Sequence, residues 1–259
     1  MDLLKSRRRR SRLSDITYIG LNIGLAVALF LIVSLSQTVW LAILVVLLGK
    51  WRTLAVRPRF WFANIIANTV DIIVGVSTVV FLSTANGSMV AQIVITVLYV
   101  GWLLLLKPRT KRSLVASQAG VAVFVGITAL SIISFSWPVV LFVLAMWGIG
   151  YVSARHVLGS YDEPYTVLYS SITGFVFAEL GWIGFHWLMG YNPLDVGDLK
   201  LSQLALYMTL GCFIAERAYA SFHKNGKVQR ADVILPIGLT VAVVLATFIF
   251  ALIFGSDAL

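Results

Sequence analysis

Nine apolar stretches divide this chain, and nearly every positive charge falls in the gaps that would share one side of a membrane. The stretches are 16–35, 38–56, 61–82, 89–106, 114–133, 137–158, 165–189, 201–222 and 233–254. Each approaches the roughly 20 residues that a helix needs to cross about 30 Å of hydrocarbon. The second is the weakest. Its uninterrupted part runs only from Thr38 to Leu48, and Lys50 and Arg52 lie in its last turns. Such long side chains can snorkel to the headgroups.

The charges decide whether that weak stretch counts as a span. With nine spans and the N-terminus in the cytoplasm, six basic residues precede the first span, four fall in 50–59, four in 107–112, one at Arg155 and four in 217–230. Of the 20 Lys and Arg residues, Lys200 alone is then outside. Merging the first two stretches would leave 7 inside against 13 outside. Basic residues are retained on the cytoplasmic side. The expectation is therefore an all-α, polytopic bundle of nine spans, N-terminus cytoplasmic and C-terminus outside. A basic segment, 1–15, precedes one transmembrane domain, 16–259.

Composition agrees with this class. The chain is 59% hydrophobic and 12% charged, where a soluble domain carries about 25% charged residues. The net charge of +9 comes in clusters at segment ends. That pattern suits anionic headgroups of the cytoplasmic leaflet and not nucleic acid, for which no soluble surface is left. The basic start lacks the short apolar core and small-residue cleavage site of a signal peptide. The expected location is the cell (plasma or inner) membrane.

Tryptophans mark the ends. Trp40, Trp51, Trp61, Trp102, Trp137 and Trp187 fall near predicted boundaries, where amphipathic rings prefer the interface. Trp147 falls mid-span and is expected to pack between helices. Asp162 and Glu163 before Pro164, Ser136 before Trp137-Pro138, and Asp198 before the eighth span read as helix-start residues serving the dipole. Steps of small residues, Gly20/Gly24, Ala63/Ala67 and Gly174/Ala178, allow close helix approach.

Span three carries most of the polar residues that lipid penalises. Asn64, Asn68, Asp71, Gly75 and Thr78 recur at spacings of four and three, which puts them on one helical face. Asp71, ten residues from Trp61, falls near the bilayer midplane. Span seven holds Glu179 and His186 seven residues apart on one face. A carboxylate and an imidazole at those depths suit proton or cation handling. Gln92, Thr96 and Tyr99 form a stripe in span four, and Ser117, Gln118 and Ser171 are further hydrogen-bonding neighbours. No Lys or Arg is expected at midplane depth. Desolvation then favours the neutral form of Asp71 and Glu179. Arg217 follows Glu216, and adjacent residues on a helix point in different directions.

No enzyme signature survives inspection. Ile214 to His223 lacks the paired Glu of a Glu-Glu-x-x-x-Arg motif. Asn86-Gly87-Ser88 lies in a loop and not in a Gly-x-Ser-x-Gly context. Cys212 stands alone, and no HExxH spacing occurs. No cofactor or metal is expected. The leading expectation is a non-catalytic membrane subunit or assembly protein with a protein partner or a second copy. The alternative is a proton- or cation-coupled transporter whose carboxylates, Asp71 and Glu179, converge in a candidate site with Asn64, Asn68, Thr78, His186, Gln92 and Tyr99.

Overall fold

The computed structural model describes residues 12–51, 57, 61–108, 110–187, 190–191 and 200–254. Helices dominate, each apolar stretch giving one of them. They are α1 (Arg12–Leu31), α2 (Val39–Leu48), α3 (Trp61–Thr84), α4 (Met89–Gly101), α5 (Arg112–Ile133), α6 (Val139–Gly159), α7 (Thr166–Trp187), α8 (Gln203–Asn225) and α9 (Arg230–Phe254). Two widened π-turns extend α1 through Ile32–Ser36 and α4 through Trp102–Leu106. A two-residue ladder, β1 (Gly190–Tyr191) with β2 (Leu201–Ser202), closes the α7–α8 connection.

Six helical segments among the described residues are long and apolar enough to cross a membrane: Ile16–Ser36, Met89–Leu106, Arg112–Ile133, Val139–Gly159, Thr166–His186 and Arg230–Ile249. α2 and the Asn68–Thr84 part of α3 are shorter apolar helices. Apolar side chains cover much of the outer surface of the bundle, among them Leu141 and Leu144 on α6 and Val97 and Leu98 on α4. These helices make the chain a membrane protein by length and composition.

Local rules explain the ends. Gln37 adopts a left-handed φ of 54° and stops the π-turn after α1. Ser88 and Ser202 cap α4 and α8 by accepting hydrogen bonds from the backbone N–H of Ala91 and Ala205. Ser136 does not cap α6, whose preceding residue is Pro138. Asp198 lies outside the described residues, and Ser202 holds the cap that was expected of it.

α5 is central. It packs against α3, α6 and α8, while α6 and α7 form the most extensive helix pair. Helix association in lipid depends on van der Waals fit, so small residues set the approach. Gly150 on α6 is covered by the Phe177 ring: a Cβ there would lie 2.5 Å from Phe177 Cγ. A Cβ on Gly174 would meet Trp147 Nε1 at 2.9 Å, and one on Gly181 would meet Met146 Cγ at 2.7 Å. Trp147 thus packs between helices, stacked on Tyr151 with centroids 5.2 Å apart. Gly20 and Gly24 face open space and make no such contact. The side chains of Ala63 and Ala67 lie outside the described residues.

Antiparallel connections bring the basic segment ends together. Arg112 Nε at the start of α5 donates to the Ser160 carbonyl after α6. Gln118 Nε2 donates to the Leu106 carbonyl at the end of α4. This is the basic end of the bundle. At the opposite end, Ser34 donates to Gln92 Oε1, Gln92 Nε2 donates to the Leu82 carbonyl, and Ser131 donates to Ser202 Oγ.

Candidate functional site

Asp71 is buried, and it is not alone. Lys50, just past α2, and Lys107, just past the π-turn of α4, both make ion pairs with its Oδ2, the latter at 2.9 Å. Trp102 Nε1 donates to Oδ1 at 2.8 Å. Oδ2 thus makes ion pairs and no hydrogen bond of regular angle. The expectation of a midplane carboxyl without a cationic partner is overturned. Its physical reason is the reach of two lysines inward from helix ends. α2 is short, so Lys50 turns into the bundle toward Asp71. Its side chain is 9% exposed, against 29% for Lys107.

The π-turn aims the other two partners. Lys107 N–H bonds to the Trp102 carbonyl at 2.9 Å, a five-residue closure. That widened turn carries both Trp102 and Lys107 toward α3. Trp102 is therefore 5% exposed and not an interfacial ring, as its place near a span end implied. Trp40 and Trp51 are 80% and 65% exposed. One carboxylate held by two ammonium groups gives the cluster a net charge of +1 if all three groups are ionised. An exchange of one partner for solvent would leave a buried charge, so the cluster acts as a lock between α2, α3 and α4.

The other residues of the expected site distribute along the bundle. Gly75 sits against Val46 and the Tyr99 hydroxyl, with a Cβ predicted at 2.7 Å from Val46 Cγ1 and 3.2 Å from Tyr99 Oη. Tyr99 is buried and its hydroxyl has no hydrogen-bond partner among the described residues. Thr78 bonds back to the Val74 carbonyl. Gln92 joins α4 to α3 and to the end of α1, as given above. Asn68 is half-buried and engaged. The Asn64 side chain lies outside the described residues.

Glu179 and His186 stand elsewhere. Both are exposed on the side of α7 turned away from α6. His186 packs edge-on to Trp182 and Phe185, with centroids 5.3 and 5.5 Å away. Glu179 makes no hydrogen bond or ion pair among the described residues. Asp71 takes its partners from α2 and α4, whereas α7 packs chiefly on α6. The structure thus gives the two carboxyls separate surroundings. Among the described residues no three His, Cys, Asp or Glu side chains group to hold a metal ion.

A second polar cluster, at the basic end, was missed by sequence reasoning. Tyr219 donates to Glu163 Oε2, and Tyr161 donates to Glu216 Oε1 at 3.3 Å. Burial, followed by the Glu216 carboxylate, pushes the Tyr161 phenol above its usual range, which keeps it a donor. Arg217 Nε lies 3.6 Å from Glu216 Oε2, so these neighbours do pair despite their divergent directions. Glu163 thus does more than complement the start of α7.

Comparison with protein-family models, curated proteins and solved structures found no match to this chain.

Proposed function

We propose that this chain is a non-catalytic subunit or assembly protein of the cell membrane, which engages another membrane protein through the outward face of α7. The observation that carries this reading is Glu179. A carboxylate facing hydrocarbon is costly, by about 2.5–3.5 kcal/mol on insertion scales for a charged residue at a helix centre. Glu179 is exposed eight residues from the end of α7, about 12 Å, amid Phe175, Val176, Trp182 and Ile183, which are 63%, 46%, 53% and 38% exposed. A partner helix with a basic side chain or hydrogen-bond donor at that depth removes the penalty.

A different chain fits better than a second copy. Two copies related by an axis along the membrane normal would bring Glu179 to equal depth on both sides, where like charges meet. The nine-span arrangement, with the N-terminus and basic end cytoplasmic, is part of the same proposal and rests on the charge distribution. The anionic headgroups of the cytoplasmic leaflet then face the basic end.

Native-gel migration of the chain extracted from its own membranes in mild detergent tests the reading. A complex heavier than the chain and not a multiple of it is expected, and Glu179→Leu should dissolve it while Glu179→Gln weakens it. A band at the mass of the chain alone, unchanged by either substitution, would contradict it.

A further inference from the structure

An unassigned cavity of about 790 Å³ is bounded by α5, α6, α7 and α8. Its shape follows from where α7 and α8 meet. They touch at the end away from the basic face, where a Cβ on Gly184 would lie 2.7 Å from Leu204 Cδ1. Toward the basic end they diverge, and the gap opens between Tyr165 and Tyr169 on one side and Phe213 and Phe222 on the other. Tyr165 and Tyr169 are 61% and 41% exposed, so the opening faces sideways, toward lipid. Along α8 the cavity runs from Phe222 to Thr209, thirteen residues or about 20 Å. That is somewhat more than one leaflet of a hydrocarbon core about 30 Å thick.

Its chemistry changes along that length. The floor is Val123, Gly150, Phe177 and Leu210, which suit an alkyl chain. The mouth holds Glu163 and Glu216 among Tyr161, Tyr165, Tyr169 and Tyr219, with Arg217 beside Glu216. Tyr161 and Tyr219 meet edge-on at 5.1 Å. Carboxylates surrounded by aromatic faces favour an ammonium group. An adjacent guanidinium favours a phosphate. Between floor and mouth, Ser153 is 4% exposed, and its hydroxyl has no hydrogen-bond partner among the described residues. A buried hydroxyl without a partner is costly, and an ester carbonyl at that depth would satisfy it.

We propose that this cavity binds an amine-bearing zwitterionic phospholipid taken from the leaflet at the basic end. Its ammonium lies at Glu163 and Glu216, its phosphate at Arg217, and an acyl chain follows the groove past Ser153 toward Val123. An anionic lipid without the amine would set its phosphate at Arg217 and bring no cation to Glu163 and Glu216. A soluble amine would leave the apolar floor uncovered. This site is separate from the α7 face that carries Glu179, and the two readings stand or fall independently.

The test uses the full chain in nanodiscs of equal parts phosphatidylethanolamine and phosphatidylglycerol, with retained lipid weighed by native mass spectrometry. Retention should favour phosphatidylethanolamine by about tenfold or more. Combined Glu163→Gln and Glu216→Gln should remove the preference. Equal retention of both lipids, or a preference untouched by the double substitution, would overturn the proposal. Because that variant can misfold, a second measurement uses the unaltered chain and a phosphatidylethanolamine photoreactive at its acyl terminus. Labelling should concentrate around Val123 and Thr209; labelling spread evenly over the exposed helices would overturn it. Excess glycerophosphoethanolamine should not displace the lipid. Displacement would show a headgroup site without a chain site, and the lipid assignment would fail.

Discussion

The Lys107 ammonium lies 2.9 Å from the Asp71 carboxylate, although one residue ends α4 and the other sits inside the apolar length of α3. With Lys50 on the same oxygen, the pair turns a polar residue that lipid would penalise into a junction of three helices. The consequence for mutagenesis is opposite to that of an isolated neutral carboxyl.

Asp71→Asn should destabilise the fold by about 3–5 kcal/mol, because two ammonium groups lose their counter-charge in a site largely shut from water. An isolated, already neutral acid would tolerate the amide. Lys107→Met should cost much less, since one ion pair remains. Combining Asp71→Asn with Lys50→Met should recover part of the loss, a coupling readable in a double-mutant cycle of thermal unfolding in detergent. Strict additivity would show that the cluster does not act as a unit.

Gly150→Ala should loosen the α6–α7 pair, because its Cβ would fall 2.5 Å from Phe177 Cγ. Overpacking of this kind costs about 1–3 kcal/mol. Gly24→Ala should be neutral or mildly stabilising, since nothing lies within 4 Å of its Cβ position. Melting temperatures of the two variants, compared in the same detergent, check the contrast. A Gly24→Ala loss as large as that of Gly150→Ala would show that α1 has a close neighbour at this face.

Reporter fusions check the orientation. A cytoplasm-active enzyme should work at the N-terminus and fail at the C-terminus, and a periplasm- or exterior-active enzyme should do the reverse. Both ends reporting the same side would remove the odd number of spans.

Much of the helical framework was legible in the sequence, because apolar length and turn residues act locally. Val39–Leu48 and Trp61–Thr84 are helices in the stretches 38–56 and 61–82 that hydropathy marked. Partners across helices were less legible. Lys50 and Lys107 sit at span ends, where snorkelling to headgroups is the usual outcome, and only the shortness of α2 and the π-turn of α4 redirect them. Trp102 was hidden by the same boundary argument. Periodicity put Glu179 and His186 on one face of α7, yet it carries no information about which face meets α6. Gly150, Gly174 and Gly181 decide that through Phe177, Trp147 and Met146. The polar mouth at Glu163 and Glu216 needs α6, α7 and α8 to meet, and no spacing within one helix reveals it.

Site-specific photocrosslinking in intact membranes tests the central claim most directly. A photoreactive residue placed at Ile183 or Phe175, beside Glu179 on α7, should give one discrete adduct with another membrane protein. The same residue at Leu144 on α6 or Val97 on α4 should not, and Glu179→Leu should abolish the adduct from both α7 positions. Lipid adducts alone from Ile183 and Phe175, indistinguishable from those at Leu144 and Val97, would contradict the account.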